Sequence, residues 1–145
     1  MRRFILAAVM SVAMVSLVAG CADTKTPKGA IMSFFKAIDR GDEKKIADCL
    51  SFDRLLLEQM GEAYMSLPPE ERANRIEEMR KRMVGSIISG KLSFLKGFEP
   101  VVDKEEIKAD QARVLVHNRK KTEEKLAFYL ALEGGVWKIF SISGA

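Results

Sequence analysis

The apolar positions of this chain follow two different periods, one in each half. From residue 27 the period is helical. Ile31, Phe34, Phe35 and Ile38 recur at i, i+3, i+4 and i+7, which is one buried face of a helix. Thr26 and Pro27 supply the cap and first position of that helix, and Asp39-Arg40-Gly41 ends it. Asp42 can cap a second helix, Glu43 to about Leu50, with Ile46, Cys49 and Leu50 turned inward. Asp53 to Met65 is helical in pattern and unusually apolar. Ser66-Leu67-Pro68-Pro69 breaks the chain, and Glu70 to Ser89 reads as the longest helix, closed by Gly90. Its inward stripe is Ile76, Met79, Met83, Val84 and Ile87. Glu71–Arg75, Glu77–Lys81 and Glu78–Arg82 are spaced i,i+4 on its outer face, the pattern of a solvated surface.

Further along, the period drops to two. Phe98 to Ile107, Ala112 to Arg119, Lys125 to Glu133 and Val136 to Ser143 read as four strands. The segments KADQ, KKTEE and GG between them are too short for crossovers, so the strands form antiparallel hairpins. Helices followed by a strand meander predict an α+β fold, with the helices laid on one face of a curved sheet.

The first twenty residues lie outside this pattern. Met1-Arg2-Arg3 is a short basic segment, and Phe4 to Val15 is apolar apart from Ser11. That stretch is too short for a stable membrane span and reads as an export signal. Without Arg2 and Arg3 the chain keeps 22 basic residues against 20 acidic ones. A balance so close to neutral is no nucleic-acid footprint. The remaining length suits one domain over 27–145 and excludes a two-domain enzyme.

Leu17-Val18-Ala19-Gly20-Cys21 closes the apolar segment and resembles the lipobox of bacterial lipoproteins. The resemblance implies a signal peptide over 1–20, cleavage before Cys21 and a lipid such as palmitate on its thiol. Residues 21–26 become the lipidated cysteine and a polar tether, whose last five residues reach at most about 17 Å. Several acyl chains hold a protein to a bilayer effectively permanently. The expected location is therefore the cell envelope, and the membrane is a partner through Cys21. Ala22, standing where Asp favours inner-membrane retention, leans the expectation toward the periplasmic face of the outer membrane. Cys49 is then the single cysteine of the domain, so no disulfide forms within it, and its neighbours Ile46 and Leu50 mark it as a buried small hydrophobe.

The opening AIMSFFKAIDRGDEKKIADCL and the ending ARVLVHNRKK…LAFYLALEGGVWKIFSIS resemble nuclear transport factor 2-like domains. These domains carry a Gly-Asp between their first helices and a glycine turn before Trp-Lys-Ile. The resemblance implies a cone, in which a strongly bent sheet wraps the helices and often leaves an apolar cavity. It spans isomerases, dehydratases and polyketide cyclases as well as binding modules, so it does not fix an activity.

Acid/base enzymes of this kind place an Asp or a His–Asp pair inside the cone. Here His117 alternates with the apolar set of its strand and shares a face with Arg113 and Arg119. No strand places a carboxylate clearly inward, and no phosphate loop, nucleophile motif or metal spacing appears. No catalytic residue, metal or cofactor is expected. The better lead is the cluster Leu56, Leu57, Met60, Tyr64, Met65, Met79 and Met83 around the Pro68-Pro69 turn, because flexible Met side chains suit irregular binding surfaces. Ordinary packing between two helices is its competing explanation. A second surface is the sheet face turned from the helices, where Leu115, Tyr129, Trp137 and Ile139 inside a charged rim would make a homodimer contact. The sequence thus predicts a non-enzymatic, membrane-anchored binding module for an envelope protein or an apolar small molecule. An isomerase or dehydratase using the cavity, and a purely structural self-associating lipoprotein, are the alternatives.

Overall fold

A computed structural model describes residues 24–145. The expected signal segment and the lipidated Cys21 lie outside the described residues. Among the described residues, five helices come first: α1 (Pro27–Arg40), α2 (Glu43–Asp48), α3 (Phe52–Met60), α4 (Glu62–Met65) and α5 (Pro69–Ile88). A single 3₁₀ turn, Ser93–Leu95, leads into the strands β1 (Pro100–Lys108), β2 (Gln111–Asn118), β3 (Lys121–Glu133) and β4 (Val136–Gly144). The strands form one antiparallel sheet in chain order.

Local chemistry sets the helix ends. Thr26 Oγ1 accepts the Gly29 N–H at 3.0 Å, and Asp42 Oδ1 accepts that of Lys45 at 3.1 Å, each satisfying an orphan donor of a first turn. Gly41 ends α1 at φ 63°, a left-handed conformation that glycine adopts without strain. The helix expected over 53–65 is instead broken in two. Gly61 sits at φ 61° and ψ −140°, outside helical geometry, and separates α3 from α4. A hydrophobic period continues across such a break, so periodicity alone does not reveal it.

Helix α1 packs its Ile31, Phe34, Phe35 and Ile38 face on the sheet. Phe35 stacks on Phe98 at 5.1 Å, while Phe34 and Phe35 meet Phe128 edge-on at 6.4 and 5.7 Å. From the sheet, Val114, Val116, Leu126, Phe128 and Leu130 complete this core. Helix α5 buries Met79, Val84 and Ile87, with Ile76 and Met83 half-buried. On its outer face Glu77 contacts both Arg80 (3.0 Å) and Lys81 (3.8 Å).

The last strand departs from simple alternation. Tyr129 lies opposite Ser141 and Leu130 opposite Ile139, so Phe140 is an extra residue in β4. This bulge shifts the phase of the strand. Trp137 and Ile139 face the helix side before it, and Ile142 faces the same side after it. For this reason both alternating sets of the strand read as apolar. The strand is also covered at its outer edge. Leu50 forms a parallel bridge to Ile139, Ser51 N–H donates to the Ile139 carbonyl at 2.8 Å, and Ile139 N–H donates to that of Cys49 at 2.9 Å.

The dimer face is corrected accordingly. Trp137 is 5% exposed and Ile139 1%, both inside their own chain. Leu115 and Tyr129 alone remain half-buried on the far side of the sheet, where Arg113 Nε donates to the Tyr129 hydroxyl at 3.4 Å. The tether is corrected too. The Trp137 N–H donates to the Thr24 carbonyl at 2.8 Å, so the folded domain already includes Thr24.

Candidate functional site

The β4 edge of the sheet is not covered along its whole length. Between α3, the segment joining α5 to β1, and the β3–β4 ladder lies an open pocket of about 490 Å³. Its walls are mostly apolar. Leu50 and Leu55 come from the α2–α3 region, Met83 from α5, and Leu92, Phe94 and Leu95 from the connecting segment. Ile139, Phe140 and Ile142 form the β4 wall. Glu58, Gln59, Tyr129 and Ser141 are its polar members.

The bulge shapes this wall. With two successive residues set against Leu130, β4 brings Phe140 beside Ile139. The Arg54 guanidinium then lies 5.3 Å from the centre of the Phe140 ring, and its Nε is 3.3 Å from Glu58 Oε1. A cation stacked on an aromatic face and paired with a carboxylate thus borders an otherwise oily wall. Phe94, 52% exposed, is a large apolar side chain left open to solvent beside it.

Of the seven Leu, Met and Tyr positions expected to form a binding surface, Met83 alone lines this pocket. Leu56, Tyr64 and Met79 are buried in the core, and Leu57 and Met60 pack against it half-buried. Met65 is 58% exposed. The cluster is chiefly the packing of α3 and α4 against α5, and it is fastened by a polar latch. The Tyr64 hydroxyl donates to Asp53 Oδ1 at 2.5 Å. Burial, reinforced by that carboxylate, pushes the Tyr64 hydroxyl up to about 12.

Sequence reasoning missed the Leu92–Leu95 segment, because a short apolar run between Gly90 and Gly97 has no period to read. It also missed the inward reach of a strand carboxylate. Glu133, at the end of β3, accepts a hydrogen bond from the hydroxyl of Ser51, which caps α3 and is itself buried. His117 stands outside the pocket, on the face turned from the helices, with Nδ1 2.7 Å from Asp103 Oδ1. Among the described residues, no three His, Cys, Asp or Glu side chains converge in a way that could hold a metal ion. No described helix is long and apolar enough to cross a membrane. Cys49 is fully buried, as its apolar neighbours implied.

No protein-family model matches the sequence, and no curated protein does. Solved structures do resemble it. The phospholipid-binding protein from Ralstonia solanacearum, determined in complex with a phospholipid, superposes with a TM-score of 0.57. It is 15% identical, over 85% of this chain and 78% of that one. A putative NTF2-like transpeptidase from Campylobacter jejuni gives a TM-score of 0.44 at 18% identity, over 79% of this chain and 97% of that one. At such identities a likeness speaks for the fold alone. That fold is α+β, with N-terminal helices on a four-stranded antiparallel sheet, the class that the change of period implied.

Proposed function

We propose that the protein is a non-enzymatic binding module of the cell envelope, anchored through Cys21, that holds an apolar or amphipathic small molecule of the acyl-chain type. The observation that carries this reading is the pocket beside α3 and β4. Its 490 Å³ falls within the roughly 300–1,000 Å³ of small-molecule sites. Nine of its thirteen lining residues are Leu, Met, Phe or Ile, a wall suited to hydrocarbon. The polar positions Glu58, Gln59, Tyr129 and Ser141 can take the polar end of an amphiphile. The fold-level likeness to a phospholipid-binding protein is in keeping with the same choice. Anchoring rests on the LVAGC segment that follows the apolar export stretch.

Titration with a fluorescent fatty acid tests the reading. The protein should bind it saturably, one molecule per chain, and unlabelled phospholipid or fatty acid should displace it. Met83→Trp, which fills the pocket from α5, should weaken binding while leaving the melting transition in place. Absence of saturable binding, or binding indifferent to Met83→Trp, would refute it.

A further inference from the structure

The point at which the chain enters the fold fixes how the domain must sit on a bilayer. Thr24 is bonded to Trp137 at the start of β4, and only Ala22 and Asp23 separate it from Cys21. Three extended residues reach at most about 11 Å. A lipid on Cys21 therefore holds the β3–β4 hairpin end of the sheet within headgroup distance of its membrane. The β1–β2 turn lies at the same end, since Leu132 N–H donates to the Asp110 carbonyl at 2.8 Å.

Two large apolar side chains stand exposed at this end. Ile107 is 54% exposed and Leu132 37%. Ile107 pairs with Ala112, Ala112 with Leu130, and Leu132 with Trp137, so both exposed side chains project on the helix side of the sheet. Lys104, Lys108 and Lys138 lie near them in the chain or the ladder, against Glu105, Glu106, Asp110 and the Ser51-bound Glu133. An exposed aliphatic pair, at the end of the sheet that the short tether holds to the lipid anchor, fits the surface of a bilayer.

We propose that the hairpin-tip end of the sheet, centred on Ile107 and Leu132, is the face this domain lays on the bilayer. The proposal rests on the reading of Cys21 as lipidated. Bilayer contact at this end would leave the β2–β3 turn at Arg119 and Lys120 in water, roughly 27 Å away along the eight residues of β2.

The test uses the full chain, processed in a bacterial host and reconstituted in nanodiscs of phosphatidylethanolamine and phosphatidylglycerol. Intact mass reports acylation of Cys21. Spin labels at Lys108→Cys and Lys120→Cys report exposure to a water-soluble nickel relaxant. The expected result is an acylated chain in which label 108 loses relaxation by nickel and label 120 keeps it, with Ile107→Ser/Leu132→Ser restoring relaxation at 108. An acylated chain whose two labels are equally accessible, or whose 120 label is the protected one, overturns this orientation alone. An unmodified Cys21 overturns the anchor and the orientation together.

Discussion

Tyr64→Phe removes a single oxygen and tests whether the α3–α4 latch holds the helices. The ring is fully buried, and its hydroxyl reaches the Asp53 carboxylate at 2.5 Å. Hydrogen bonds to charged groups contribute about 1.5–3 kcal/mol. Asp53 is exposed, so water can replace the lost donor and no buried acceptor is orphaned. The expected cost therefore lies near the lower end, about 1–2 kcal/mol. For a domain of this size that lowers the melting temperature by several degrees, at about 3–6 °C per kcal/mol. The pH dependence gives a second, independent signature. The folded hydroxyl is held up to about 12 against an ordinary value near 10, so between these values the folded state retains a proton that the unfolded state has lost. The stability this group contributes is complete below pH 10 and declines as pH rises toward 12. Urea unfolding followed by circular dichroism, at neutral pH and across pH 9 to 11.5, measures both effects. The variant should be weaker at neutral pH and should lose stability less steeply in alkali. Equal stability within about 0.5 kcal/mol, together with an unchanged alkaline slope, would refute the latch.

Gly61→Ala meets no atom within 4 Å, so its cost is backbone strain alone, about 1–3 kcal/mol in a denaturant melt. Ser51→Ala removes the α3 cap and the partner of Glu133, and a loss of about 1–3 kcal/mol is expected by the same assay. Cys21→Ala should move the protein from the membrane to the soluble fraction and abolish palmitate incorporation; labelling that persists in the variant would place the lipid elsewhere.

The local chemistry of the chain was legible in order. Thr26-Pro27, Asp42 and Gly41 marked helix ends because caps and left-handed glycines act through their own few residues. The change of period from 3.6 to 2 placed the helices and four strands, and short turns forced an antiparallel meander. The α+β class follows from those features alone. The pocket and the surfaces did not follow. Whether Trp137 and Ile139 face outward depends on one extra residue at Phe140, and a bulge is set by pairing with β3 and by the Leu50 bridge. A strand pattern by itself carries either phase. Likewise, the Met and Leu cluster around Pro68-Pro69 had the composition of a binding surface, yet most of it is packed into or against the core. The pocket opened beside it, where α3, the Leu92–Leu95 segment and β4 fail to meet. Composition and period determine which side chains seek burial. Only the packing of distant elements decides which of them find it, and where a gap is left between them.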